Sequence, residues 1–259
     1  VCLRSNNVTQ WRLIADVLKD LMREVPVEFT ESGMKLVCMD PASVALLHLQ
    51  ATAEFFYCKS PITVGIDLDA LYKVLRNVTG SGYMLELSLM ERDTEYLQVV
   101  LYNSDKRTKA RTKLRLIRLP EVTINIPKTT FERVLSIPSG DFQRYIRELV
   151  AISDRISVTS TKDTLVLAAE GGMGSTEIEV SPTASGLHWH VISKEGETCA
   201  SHEPITGIFL SKYLERFSRP LDSVVDIFIR DKYPLVLRYV MQSATIRLAI
   251  APICEDEDN

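Results

Sequence analysis

Val27-Glu28-Phe29-Thr30-Glu31-Ser32-Gly33-Met34-Lys35-Leu36-Val37-Cys38-Met39 is the stretch on which the architecture turns. Apolar residues alternate on either side of Ser32-Gly33, a pattern that predicts strand, tight turn and strand. Ile156-Ser157-Val158-Thr159-Ser160-Thr161-Lys162-Asp163-Thr164-Leu165-Val166-Leu167 carries the same design. There Val158, Thr159 and Leu165 stand at a constant offset of 129 from Phe29, Thr30 and Leu36, so the chain reads as an internal duplication.

A helical pattern precedes each hairpin. In the first, Val8 to Arg23, the residues Trp11, Ile14, Val17, Leu18 and Leu21 follow helical spacing, with Arg12, Lys19 and Arg23 on another stripe. The second-half equivalent opens at Pro138-Ser139-Gly140-Asp141 and runs to about Ile152, presenting Arg144 and Arg147 three residues apart on one side. Each half has one more such segment: Leu68 to Val78 with Lys73 and Arg76, and Leu210 to Arg219 with Lys212, Arg216 and Arg219.

Alternating strands are predicted at Val44 to Ala51, Pro61 to Ile66, Tyr83 to Met90 and Tyr96 to Tyr102. In the second half they fall at Thr176 to Ser181, Glu203 to Ile208, Val224 to Ile229, Leu235 to Tyr239 and Thr245 to Ile250. Two helices laid on one face of antiparallel sheet, twice over, make the fold class α+β. Leu119-Pro120-Glu121-Val122-Thr123-Ile124-Asn125-Ile126-Pro127 has two prolines that interrupt a ladder, so it predicts an exposed crossing loop. The expected division is residues 1–118, a connecting loop at 119–127, and residues 128–259 with an acidic tail at 255–259.

The chain is acidic, with formal net charge −4, yet Lys and Arg recur on all four helical patterns. That segregation predicts a surface for a polyanion, DNA above all. No apolar run approaches the ~20 residues of a membrane span, and no basic segment followed by an apolar stretch opens the chain. Five widely spaced cysteines, Cys2, Cys38, Cys58, Cys199 and Cys254, form no Cys-x-x-Cys pair and read as reduced thiols of an intracellular protein.

Chemistry-bearing clusters are missing from the sequence. His188-Trp189-His190 puts two imidazoles on one strand face without a Cys or acidic spacing to complete a metal site, and reads as a surface strand. Glu170-Gly171-Gly172-Met173-Gly174-Ser175 lacks the Lys-Ser/Thr ending of a phosphate loop and reads as a turn. Asp40 with Asp67 or Asp69 could in principle join a two-metal nuclease site, but their spacing has no special signature, and capping and loop roles are the default. No cofactor is expected.

Leu18-Lys19-Asp20-Leu21, Ser32-Gly33-Met34-Lys35-Leu36, Met39-Asp40, Pro138-Ser139-Gly140-Asp141-Phe142, Pro234-Leu235-Val236 and Leu248-Ala249-Ile250-Ala251-Pro252 follow one another in a telling order. With the duplicated halves they make the chain, over nearly its whole length, resemble the proliferating cell nuclear antigen family of DNA sliding clamps. The resemblance implies a duplicated clamp fold assembled head to tail as a homotrimeric ring, helices lining the hole and antiparallel sheets outside. Duplex DNA would be held without reading its sequence, facing Arg12, Lys19, Lys73, Arg76, Arg144, Arg147, Lys212 and Arg219. DNA polymerase, clamp loader and other replication and repair proteins would dock short hydrophobic-aromatic motifs at Met39, Val44, Leu46, Ile124, Ile126, Pro127, Pro234, Ala251 and Pro252. The resemblance further implies a nuclear protein, or one of a viral replication compartment, with Lys162 at the family's ubiquitin-acceptor position.

The sequence departs from the family at Ala249, where relatives carry an aromatic residue, at Ser43, where many have His, and in Lys106-Arg107-Thr108-Lys109-Ala110-Arg111-Thr112-Lys113-Leu114-Arg115-Leu116-Ile117-Arg118. On its own that basic run reads as a nuclear-import or nucleic-acid patch. In the family the equivalent edge strand pairs with the next subunit, which would set Lys109, Arg111, Lys113 and Arg115 against Glu177 and Glu179. Two other readings fit the duplication: a monomeric clamp-like processivity factor, and a subunit of a heteromeric checkpoint-type ring. A metal-dependent DNA-processing enzyme is a distant third.

Overall fold

The computed structural model describes residues 1–80, 82–120, 124–126, 129–161, 164–183, 185–190 and 203–253, with Trp189 and His190 described by backbone only. The chain divides into two compact units. Unit 1 comprises Val1–Asp40, Leu47–Asn125 and Met241–Ile246; unit 2 comprises Pro41–Leu46, Ile126–Val240 and Arg247–Asn259.

Within unit 1 the strands β1 (Cys2–Ser5), β5 (Phe55–Tyr57), β7 (Tyr83–Met90), β8 (Asp93–Asn103) and β9 (Thr108–Arg115) form an antiparallel sheet in the order β5-β1-β7-β8-β9. Leu3, Leu85, Leu87, Leu97 and Val99 turn inward and are almost wholly buried, while Arg4, Glu86 and Arg111 share the opposite face. Strand β2 (Glu24–Thr30) pairs with β3 (Gly33–Met39) and β6 (Ile62–Asp67). The helices α1 (Val8–Lys19) and α2 (Leu68–Leu75) pack on each other, burying Trp11, Ile14, Leu18, Leu71 and Leu75. Asn7 caps α1, its carboxamide accepting from the Gln10 amide at 3.3 Å, and Asp67 caps α2 by accepting from the Ala70 amide at 2.9 Å.

Unit 2 repeats the plan. Its β10 (Arg133–Pro138), β14 (His188–His190), β16 (Val224–Ile229) and β17 (Leu235–Val240) run in the order β14-β10-β16-β17. A second sheet has the order β13-β12-β11-β15, from β11 (Arg155–Ser160), β12 (Leu165–Gly171), β13 (Gly174–Val180) and β15 (Ile205–Leu210). The helices α3 (Ser139–Val150) and α4 (Ser211–Phe217) pack together over Phe142, Ile146, Leu149, Leu214 and Phe217. Strands β4 (Ala45–Ala51) and β18 (Ala244–Ile250) complete the described elements. Among the described residues no helix is long and apolar enough to cross a membrane.

The duplication has an offset of 131, not 129. Helix α3 begins and ends 131 residues after α1 (8 to 139, 19 to 150), and β11 starts 131 after β2 (24 to 155). The pairing Val27 with Leu36 recurs as Val158 with Leu167 at the same spacing. The two offsets differ by two residues, one full strand repeat, so the false match kept every side chain on its correct face.

Helix ends also differ from the sequence pattern. The Leu21 amide turns onto the Leu18 carbonyl at 3.0 Å, a three-residue bond that tightens the final turn; α1 ends at Lys19, and Arg23, beyond it, pairs with Asp67 at 3.4 Å. Arg76 is the residue that caps α2, and Arg219 lies beyond α4, because a residue before proline (Pro220) avoids helical ψ.

The Tyr239 hydroxyl, buried with its ring, donates to the Phe217 carbonyl at 2.8 Å and so ties β17 to the end of α4. Burial raises the pKa of this phenol well above its usual value and pushes the Cys38 thiol up to about 12. The folded state therefore holds both protons longer than the unfolded chain does. Their contribution is complete below the unfolded values, about 8.5 for the thiol and 10 for the phenol, and is lost as pH rises from these through the raised folded values. Tyr239→Phe is expected to cost about 1–3 kcal/mol at pH 7 by orphaning the carbonyl. It should also flatten the fall in stability above about pH 10, which urea unfolding at neutral and alkaline pH will measure.

Candidate nucleic-acid and partner surfaces

In unit 1, Lys73 and Arg76 are exposed, whereas Arg12 and Lys19 are half-buried. The Arg12 guanidinium donates to the Val78 carbonyl at 3.1 Å. Lys19 Nζ lies 2.9 Å from Asp16, 3.1 Å from Asp20 and 4.5 Å from the Tyr72 ring centroid. Partial burial opposes the Lys19 charge, but the hydrogen bonds to Asp16 and Asp20 outweigh it and its pKa is raised. Lys73 reaches Asp69 at 2.7 Å, a contact that lowers the pKa of that carboxyl.

In unit 2, Arg144, Arg147, Lys212 and Arg216 are exposed and Arg219 is half-buried. Arg144 pairs with Asp141 at 3.1 Å and lies over the Tyr145 ring at 5.1 Å; Lys212 lies over Tyr213 at 4.9 Å. Acidic residues share these helices with the bases: Lys19, Lys73 and Arg144 each hold a carboxylate on the same helix or at its end. The exposed pairs of Lys73 and Arg144 are screened by solvent and weak, so a phosphate can replace the carboxylate there at little cost. The tyrosines beneath three of the bases were missed by a reading that followed charge alone, although Tyr145 and Tyr213 are sequence neighbours of Arg144 and Lys212.

Asp67 caps α2 and Asp69 pairs with Lys73, so each has a structural role. Among the described residues no group of three or more His, Cys, Asp or Glu side chains is arranged to hold a metal. Gly171 and Gly174 face each other across the β12–β13 hairpin, so the glycine-rich segment is the turn expected of it.

The residues expected to receive a partner peptide divide between the units. In unit 1, Met39 ends β3 with 43% of its surface exposed, and Ile124 is half-buried. In unit 2, Ile126 is 45% exposed; Leu46, Pro234 and Pro252 are half-buried; and the Ala251 amide donates to the Val44 carbonyl at 2.9 Å. Ser43 holds a positive φ of 57°, and Ala249 is half-buried in β18. Pro127 and Lys162 lie outside the described residues.

Two strands end their sheets. Strand β9 borders the unit 1 sheet with Lys109, Arg111, Lys113 and Arg115 exposed, and β13 borders the second sheet of unit 2 with Glu177 and Glu179 exposed. Beyond β9 the chain crosses β6 closely, the Ile117 amide donating to the Gly65 carbonyl at 2.9 Å. A Cβ on Gly65 would stand 2.3 Å from the Ile117 carbonyl oxygen, so glycine is required there.

The model of the N-terminal domain of proliferating cell nuclear antigen matches residues 3–122, and that of its C-terminal domain matches residues 125–253. A probable DNA polymerase sliding clamp 1 of Paramecium bursaria Chlorella virus 1 is 26% identical, over 92% of this chain and 91% of its own. Proliferating cell nuclear antigen 2 of Drosophila melanogaster is 26% identical over 95% and 94%, and the proliferating cell nuclear antigen of Chaetomium thermophilum 26% over 95% and 95%. Two domain models matched in succession, on a fold of two repeated units each bearing a helix pair, mean that the chain belongs to the proliferating cell nuclear antigen family.

Proposed function

We propose that this chain is a DNA polymerase sliding clamp that closes into a homotrimeric ring around duplex DNA and recruits replication and repair proteins. The observation that carries the reading is the succession of both family domains over residues 3–122 and 125–253. Helices bearing Lys73, Arg76, Arg144, Arg147 and Lys212 at their surface support a phosphate-facing lining, with Arg12, Lys19 and Arg219 nearby in sequence. Phosphate contacts position a ring without reading bases, which permits sliding. The trimer's formal charge, 3 × −4 = −12, would discourage DNA from adhering elsewhere. The protein works as a platform rather than an enzyme, in the nucleus or a viral replication compartment.

In this reading β9 of one subunit pairs with β13 of the next through backbone hydrogen bonds, while Lys109, Arg111, Lys113 and Arg115 set register against Glu177 and Glu179. Partner proteins seat an aromatic-hydrophobic motif against Met39, Val44, Leu46, Ile124, Ile126, Pro127, Pro234, Ala251 and Pro252. Lys162 is the proposed ubiquitin acceptor; Lys162→Arg should abolish damage-induced modification, and intact modification would refute the assignment.

Light scattering tests the assembly. A mass three times the 29.2 kDa chain is expected at low salt, shifting toward the single chain in molar salt as the charged junction is screened. Stoichiometry unchanged by salt would argue against the charge-set junction. A single-chain mass throughout would favour a monomeric processivity factor or a subunit awaiting heteromeric partners.

A further inference from the structure

The basic run on β9 is more than a subunit junction requires. Residues 106–118 hold seven of the chain's 30 Lys and Arg and not one of its 34 Asp and Glu. Within β9 the alternate residues Lys109, Arg111, Lys113 and Arg115 stand on one face, and strand geometry spaces them about 6.6 Å apart over roughly 20 Å. Arg111 lies opposite Val100, Val100 opposite Glu86, and Glu86 opposite Arg4, so Arg4 joins the same face. That face looks away from Leu85, Leu87, Leu97 and Val99, which fill the core.

Tyrosines stand among the bases. Tyr102 lies opposite Lys109 and is 36% exposed; Tyr96 lies opposite Arg115, with Lys113 Nζ 5.6 Å from its ring centroid. The nearby carboxylates are already engaged, Glu86 with Arg4 at 2.7 Å and Asp93 with Lys113 at 2.5 Å. Lys109, Arg111 and Arg115 have no ion pair among the described residues.

We propose that this sheet face is a second nucleic-acid surface, one that holds single-stranded DNA. An extended row of cations follows a single-strand backbone, and aromatic side chains set into it give bases a surface to stack on without sequence preference. An acidic polypeptide would use the cations but not the rings. Lysines placed only to keep an edge strand from pairing wrongly would need neither the row nor the tyrosines. Backbone groups of an edge strand point along the sheet plane while its side chains stand off the sheet, so pairing the edge leaves the face accessible, with the four cations of β9 outnumbering the two carboxylates, Glu177 and Glu179, set beside them. The inference goes beyond duplex encirclement and does not depend on ring closure.

The test is fluorescence anisotropy of a labelled oligothymidylate with the full chain. With four phosphates neutralised, affinity should fall about fiftyfold between 50 and 200 mM salt. Lys109→Gln with Arg111→Gln and Arg115→Gln should weaken binding at least about tenfold at low salt and leave only about a threefold salt dependence. Tyr96→Leu with Tyr102→Leu, on the interior strand β8, should weaken binding about fivefold or more with the light-scattering mass unchanged, which separates the effect from disassembly. The same tyrosine variant should support clamp-dependent synthesis on duplex template as the parent does, so that failure of the duplex reading and failure of this one are distinguishable. Parent-like binding by the triple variant would overturn the proposal. So would a tyrosine variant without effect combined with displacement by polyglutamate, which would assign the face to acidic chains.

Discussion

Arg144→Glu with Arg147→Glu is expected to cut clamp-dependent long-product synthesis by about tenfold to a hundredfold, because two phosphate-facing cations become two repelling anions. Both side chains are exposed on α3, and neither contributes to the core of Phe142, Ile146 and Leu149 beneath them. The lost pair with Asp141 is a solvent-screened surface contact, so thermal unfolding should barely move. Primer extension on a long template, with melting measured on the same preparation, makes the comparison. Full-length products from a folded variant would mean that α3 does not face DNA.

The second large effect is expected at Ile126. An isoleucine with 45% of its surface in water is not a core residue, and in the proposed function it serves as an anchor point for aromatic-hydrophobic peptides. Ile126→Asp should weaken a synthetic partner peptide by tenfold or more, about 1.4 kcal/mol or above, since a charge would be desolvated against an apolar ligand. The same change should leave the assembly mass unaltered. Undiminished peptide affinity would remove Ile126 from the contact.

Much of the fold is legible in the sequence wherever one face of an element is buried. Strands β7 and β16 begin and end where alternation predicts, and the hairpins β2–β3 and β11–β12 are where the opening stretch places them. Other elements carry little pattern. Strand β5 has three residues, β1 four, and β10 is buried along nearly its whole length, so Arg133 to Pro138 shows no alternation to read. Strand β9 is mostly charge, and only the family resemblance identifies it as an edge. The basic residues of the helices are legible, and so are the acidic residues that share them, but which carboxylate closes on which base, Asp16 on Lys19 and Asp69 on Lys73, is decided by side-chain rotamers. Lys19 resting on Tyr72 joins two helices and has no signature in either.

The central claim is topological. It is tested most directly by loading the labelled protein on nicked circular duplex with a cognate clamp loader and then cutting the circle with a restriction enzyme. A ring that encircles DNA through weak phosphate contacts should stay bound to the closed circle in salt that abolishes surface binding but keeps the trimer intact, and should slide off once the DNA is linear. Equal retention on circular and linear duplex would contradict encirclement and point to a surface-bound processivity factor instead.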